Sequence, residues 1–157
     1  MKKIQIRAIG KANDAWQKEA IQSYKTRLKP FADVSIIELP EGHSSSAKPN
    51  TATTRKNEAK SLLQSIPEHA VIIAMDEHGI EMPSNTFSKH ISKWSQNGAS
   101  LVFLIGGSWG LEDEIRNRVH HIISFGKITL PHIFARIILL EQLYRAEMIA
   151  RGKEYHK

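Results

Sequence analysis

Two segments of this chain are apolar without interruption, Ala70–Met75 (AVIIAM) and Leu101–Ile105 (LVFLI). A strand with one face in water alternates apolar and polar residues, whereas an unbroken run suits a strand covered on both faces. Each run stops at residues that turn a chain: Asp76-Glu77-His78-Gly79 after the first, Gly106-Gly107-Ser108-Trp109-Gly110 after the second. Helical patterns separate the strand patterns along the chain. The expected architecture is a mostly parallel α/β sheet with helices on both faces.

The remaining elements follow from local spacing. Ile4, Ile6 and Ala8 alternate with Gln5 and Arg7 and are followed by Gly10, which marks a first strand with its stop. Asp14 with Gln17 is a capping-box signature. Trp16, Ala20, Tyr24 and Leu28 recur every four residues and predict a helix over 15–28, ended by Pro30. Val34–Leu39 reads as a second strand, and residues 40–52, rich in Ser, Pro and Gly, as a mobile loop. A polar helix is expected over about 53–65, and a helix carrying Phe87, Ile91 and Trp94 closes at Asn97-Gly98. A short helix opens with Glu112, Asp113 and Glu114, where the dipole favours anions. Ile122–Phe125 reads as a fifth strand. The segment Gly126–His132 then leads into a long helix ending near Arg151.

At 157 residues the chain has the length of one domain, read here as 1–157, and carries no internal repeat. It has no cysteine, which excludes disulfides, a cysteine nucleophile, iron–sulfur clusters and thiolate zinc. No apolar run approaches the ~20 residues that cross a bilayer. The opening MKKIQIRAIGK lacks the apolar stretch of a signal peptide, so a cytoplasmic location is expected. The net charge of +6 is uneven: residues 1–30 carry +6, residues 31–131 carry −2 and residues 132–157 carry +2. A basic end favours an acidic partner such as RNA, although a solvated helix face explains it equally well.

Ligands of parallel α/β sheets bind beyond the carboxyl ends of the strands. Here those ends are Met75-Asp76, Gly106–Gly110 and Phe125–His132. By spacing alone, Gly106-Gly107 reads first as a tight strand-to-helix turn. Neither GxGxxG nor GxxxxGK[ST] occurs, so a dinucleotide fold and a P-loop lose their main support. The adjacent pair His120-His121 points in diverging directions and is a poor chelate, so no metal is expected. His132 follows Pro131 at a helix start, where backbone donors gather. His156 lies in the terminal Tyr155-His156-Lys157, which is either a reactive tail or a frayed end. The long helix is apolar almost all round, which calls either for a second subunit or for central burial. Arg136 and Arg145 interrupt its apolar surface and need a carboxylate, a phosphate or solvent.

The carboxyl-terminal third resembles the RlmH family of SPOUT-class RNA methyltransferases. The likeness lies in IGGSWGL at 105–111, Thr129-Leu130-Pro131-His132, Arg136, EQLYRA at 141–146 and the terminal Tyr155-His156-Lys157. Weaker agreement extends over the whole chain.

The resemblance implies a SPOUT fold whose part from about residue 70 to 157 is tied in a deep trefoil knot. It implies a homodimer with its active site at the subunit interface. The implied reaction uses S-adenosylmethionine to methylate N3 of a pseudouridine in 23S ribosomal RNA, with the assembled 70S ribosome as substrate. Carried over position by position, the cofactor site is Met75, Gly106 and the run Phe125, Gly126, Lys127, Ile128, Thr129, Leu130. His132 or His156 would remove the N3 proton, and Arg136 with Lys157 would hold phosphate or the developing anion. Arg7, Lys11, Arg27, Tyr155 and Lys157 would face RNA. Trp109 would either stack on a base or cap its loop. The competing readings are a SPOUT enzyme acting on another RNA such as tRNA, and a ribosome- or RNA-binding module without turnover.

Overall fold

The computed structural model describes residues 1–43 and 50–155. Strands and helices alternate in the order β1 (Lys2–Ile9), α1 (Ala15–Leu28), β2 (Ala32–Leu39), α2 (Thr51–Leu63), β3 (Val71–Glu81) and α3 (Ser84–Trp94). They continue as β4 (Leu101–Ile105), α4 (Asp113–Arg118), β5 (His121–Ser124) and α5 (His132–Ala150), with one 3-10 turn at Gln96–Gly98. The five strands form one sheet in the order β2-β1-β4-β3-β5, and every pairing is parallel. All carboxyl ends therefore share one edge, and helices must cover both faces.

Side-chain alternation divides the core in two. Leu101, Phe103 and Ile105 of β4 face one layer with Ile4, Ile6 and Ala8 of β1; there they meet Leu28 of α1, Phe87 and Ile91 of α3, and Leu139 and Leu143 of α5. Val102 and Leu104 face the other layer with Ile9 and Ala74, against Ala59 and Leu62 of α2 and Ile115 of α4. The unbroken apolar run of β4 is thus buried on both sides, as expected. α5 packs against both α1 and α3, which covers much of its apolar circumference within the chain. Phe134 remains 45% exposed.

The local boundaries have identifiable causes. Gln17 Oε1 accepts the N–H of Asp14 at 3.2 Å at the start of α1, as the capping box requires. α2 begins two residues earlier than its spacing suggests, because Asn50 Oδ1 accepts the Thr53 N–H at 3.1 Å and caps it there. The loop expected over 40–52 lies in part, at 44–49, outside the described residues.

One expectation is corrected. Asp76–Gly79 does not turn the chain away. β3 bulges there and resumes, so that Met75 and Ile80 both pair with Ile123. Gly79 makes this possible: a Cβ at residue 79 would come within 2.7 Å of the Ile123 backbone, so only a bare glycine lets the two strands close again.

Candidate active site

A cleft of about 890 Å³ opens at the carboxyl edge of the sheet, within the size range of small-molecule sites. Its floor is Met75, Ile105 and Ile123, the last core residues of three neighbouring strands. One wall is the glycine-rich loop 106–111. The other is the segment after β5, of which Phe125, Gly126, Ile128, Thr129 and Leu130 line the cleft. Seven of the eight expected cofactor residues are brought together here. The eighth, Lys127, is exposed and does not line the cleft.

The glycines serve different ends. A Cβ on Gly106 would meet Leu111 Cδ2 at 2.9 Å and the Gly110 carbonyl oxygen at 3.1 Å, so Gly106 is needed for the loop to close on itself. Gly126 has open space around it but sits at φ +116°, which a side chain disfavours. Its N–H donates to Ser124 Oγ at 3.0 Å.

The bulge in β3 supplies Glu77, which the sequence placed only in a turn, beside Asp76 of the expected strand end. The single Ser124 hydroxyl proton is shared between the Gly126 carbonyl at 2.9 Å and the Glu77 carbonyl at 3.2 Å, and the Glu77 carboxylate accepts from Thr129 Oγ1 at 3.2 Å. Glu77 thereby fastens both ends of the 124–129 wall. Asp76, its side chain 6% exposed, pairs with Arg116 at 2.9 Å on the cleft side of α4. Arg55 reaches from α2 to donate to the Leu111 carbonyl at 2.7 Å. Asp76 and Glu77 have a local signal in their place at the strand end, whereas Arg55 and Arg116 lie within helices and have none.

His132 lines the cleft at the first position of α5 and is half-buried. Its ring lies over Gly10, where a Cβ would be 2.6 Å from Cε1. Burial, and then the nearby Arg136 guanidinium, draw the imidazole pKa below its ordinary value, with Glu41 and Glu38 acting in the other direction. Nδ1 is buried and has no hydrogen-bond partner among the described residues. A neutral imidazole keeps one unprotonated ring nitrogen, the group a proton acceptor requires.

Arg136 does not fit the role expected of it. It is fully buried, with Nη1 donating to Glu38 at 2.5 Å and Nη2 to the Gly10 carbonyl at 3.1 Å. A guanidinium spent on those acceptors cannot grip a substrate phosphate; it fixes the backbone beneath His132. On Glu38, burial works against ionisation, but the Ala12 N–H and Arg136 outweigh it and hold the carboxyl below its ordinary value. Arg7 is corrected as well. It is 5% exposed and donates to the Ser61 carbonyl at 3.0 Å, so it joins β1 to α2 and is not presented to a polyanion.

The other expected RNA contacts lie apart from the cleft. Lys11 is exposed. Arg27 is exposed on α1 and lies over the rings of Tyr24 and Tyr144. Tyr155 packs edge-on against Tyr144, and its hydroxyl donates to Glu141 at 3.3 Å. His156 and Lys157 lie outside the described residues. Trp109 is 47% exposed on the glycine loop. The pair His120-His121 does diverge: His120 Nδ1 accepts from the Ile72 N–H, whereas His121 stacks on Trp94.

A family model described as "Predicted SPOUT methyltransferase" matches residues 1–156. The chain belongs to the SPOUT methyltransferase family. Within that family it is 38% identical over 158 residues to the ribosomal RNA large subunit methyltransferase H of Streptococcus suis, covering 99% of each chain. It is 34% identical over 155 residues to the protein of that name from Anaeromyxobacter, again with 99% of each covered. Among solved structures, a "probable methylase family protein" from Haemophilus influenzae Rd KW20 aligns with a TM-score of 0.58 at 12% identity, over 98% of this chain and 70% of that one. That likeness shows the fold alone. In this SPOUT chain the matched sequence spans every wall of the cleft.

Proposed function

We propose that this chain transfers the methyl group of S-adenosylmethionine to N3 of a pseudouridine in 23S ribosomal RNA, on the assembled 70S ribosome in the cytoplasm, as a homodimer. The observation that carries this reading is a half-buried, weakly basic His132 on the wall of a glycine-framed cleft at the carboxyl edge of the sheet. The names of the relatives supply the substrate class.

The cleft fits the cofactor's chemistry. Met75, Ile105 and Leu130 offer apolar surface, and the 106–111 and 125–130 segments bring main chain to the cleft walls. When bound, the cofactor supplies a methyl group on a positively charged sulfur. The protein mainly aligns the partners, which is worth up to about 7–11 kcal/mol of barrier. N3 of a pseudouridine carries a proton that must leave, and His132 is proposed to accept it, a contribution of about 10²–10⁴-fold. Arg136 and Glu38 hold the base in place.

Tyr155 meets Glu141, nine residues beyond His132 on α5, or about 13 Å along the helix. His156 and Lys157 lie outside the described residues; they are proposed to act with His132 across the dimer, Lys157 neutralising phosphate or the developing anion. Lys11 and Arg27 are proposed to meet RNA phosphates. The proposal includes a deep trefoil knot from about residue 70 onward. It is supported by the family match over residues 1–156.

The test is tritium transfer from labelled S-adenosylmethionine to whole ribosomes, free large subunits and bulk tRNA, all lacking the modification. Label confined to whole ribosomes and mapped to one pseudouridine is the expected result. Label on tRNA would retain the fold and discard the ribosomal substrate.

A further inference from the structure

The glycine-rich wall of the cleft is held from outside by α2, and the residue at the centre of that support is an acid. Glu58 is 3% exposed, a burial that a carboxylate tolerates only with donors around it. Its Oε1 accepts the Gly42 N–H at 3.1 Å, and the neighbouring Asn57 donates to the Gly42 carbonyl at 2.9 Å. Gly42 lies flat on α2: a Cβ there would come within 2.2 Å of the Thr54 carbonyl oxygen. On its other side the Glu58 carboxyl lies against Gly107, where a Cβ would be 2.9 Å from Oε1 and 3.0 Å from Oε2. The Gly107 main chain on that side favours the ionised carboxylate, as the Gly42 N–H does on the other.

One carboxyl thus touches two loops that are distant in sequence. The segment at Gly42 follows β2, whose Glu38 anchors Arg136 beneath His132. The segment at Gly107 is the wall of the cleft. We propose that Glu58 is a positioning residue that ties the backbone after β2 to the 106–110 loop and holds that loop in its ligand-binding shape. The effect on cofactor binding rests on the reading of the cleft given above, whereas the effect on the loop does not.

The cost of this arrangement distinguishes it from plain structural support. Burial, with the Glu41 carboxylate, pushes the Glu58 carboxyl above the usual carboxylate range against the Gly42 and Gly107 backbone donors and His43, so its ionised form works against folding at neutral pH. Glu58→Gln removes that cost. It also places an amide donor where one oxygen now faces Gly42 or Gly107. Stability and loop order should therefore move in opposite directions.

The experiment compares the full chain with Glu58→Gln at pH 7.5 by thermal unfolding, by hydrogen exchange of peptides covering 106–111, and by calorimetric titration with S-adenosylhomocysteine. The expected result is an unchanged or raised Tm, at least threefold faster exchange in 106–111, and about tenfold weaker binding. Gly107→Ala, which presses on the same carboxyl from the other side, should weaken binding too, and the double variant should be no worse than the weaker single. Unchanged exchange in 106–111, or a lowered Tm with exchange raised evenly over the whole chain, would overturn the proposal. Faster local exchange in a protein whose parent binds no S-adenosylhomocysteine would uphold the positioning role and refute the cofactor assignment of the cleft.

Discussion

The imidazole of His132 occupies the space in which any residue but glycine at position 10 would place its side chain. A Cβ at Gly10 would lie 2.6 Å from Cε1 and 2.7 Å from Nε2, and residue 10 has φ +92°. The strand stop and the proposed base are therefore one unit, although 122 positions separate them in sequence. Gly10→Ala should cost about 1–3 kcal/mol through backbone strain and displace the ring. Gly10 does not line the cleft. The expected outcome is a kcat lowered at least tenfold with cofactor affinity kept within twofold, and steady-state kinetics beside calorimetry would separate the two.

His132→Gln should lower single-turnover methyl transfer by about 10²–10⁴-fold if the ring acts as the base. Retained turnover on ribosomes would remove that assignment.

The pH dependence follows from the same site. Burial and Arg136 depress the folded-state pKa of His132, with Glu41 and Glu38 opposing. The unfolded chain then binds the proton more readily, so the stability linked to His132 is complete above the unfolded value of about 6.5 and is lost as pH falls through the folded one. Chemical denaturation should show a stability decline below pH 6.5 that is smaller in His132→Gln. The acid limb of kcat/KM should fall below 6.5 as well; a limb at or above that value would contradict a depressed base.

Arg136 is fully buried and Glu38 is 32% exposed. Removing one partner of a fully buried pair costs about 3–5 kcal/mol. Glu38→Ala should cost less, about 2–3 kcal/mol, because the open side lets water reach the orphaned guanidinium. Arg136→Lys should not restore kcat, since an ammonium cannot span Glu38 and the Gly10 carbonyl as the planar fork does. Urea titration and single-turnover assays of both variants check this.

Ser124 is buried and bonds to both Gly126 and the Glu77 carbonyl. Ser124→Ala leaves those groups without their partner at a cost of about 1–3 kcal/mol. We expect a raised KM for S-adenosylmethionine with kcat little changed, because the cleft wall loosens while His132 stays in place.

Much of the molecule was legible in local pattern. The apolar runs located β3 and β4 and required cover on both faces, which the two core layers provide. Gly106 and Phe125–Leu130 were legible as strand-end segments from their pattern, with a cofactor role only through the family resemblance, and the structure gathers all but Lys127 around one cleft. Arg136 and Arg145 each required a partner, and each found a carboxylate, Glu38 and Glu141. Local pattern failed at Asp76–Gly79, whose turn chemistry makes a bulge because β5 lies alongside to re-pair the chain.

Element type, caps, the two-sided burial of the sheet and the segments that end its strands depend on neighbours along the chain, and local pattern shows them. Which charges are solvated and which are structural is settled by long-range packing. A lysine or arginine on a strand or helix has the same local signature in water or in a core, and its fate depends on an acceptor that another part of the chain delivers. Arg7 meets Ser61, Arg136 meets Glu38, and Glu58 meets Gly42 and Gly107, because the fold with strand order β2-β1-β4-β3-β5 brings segments distant in sequence into contact.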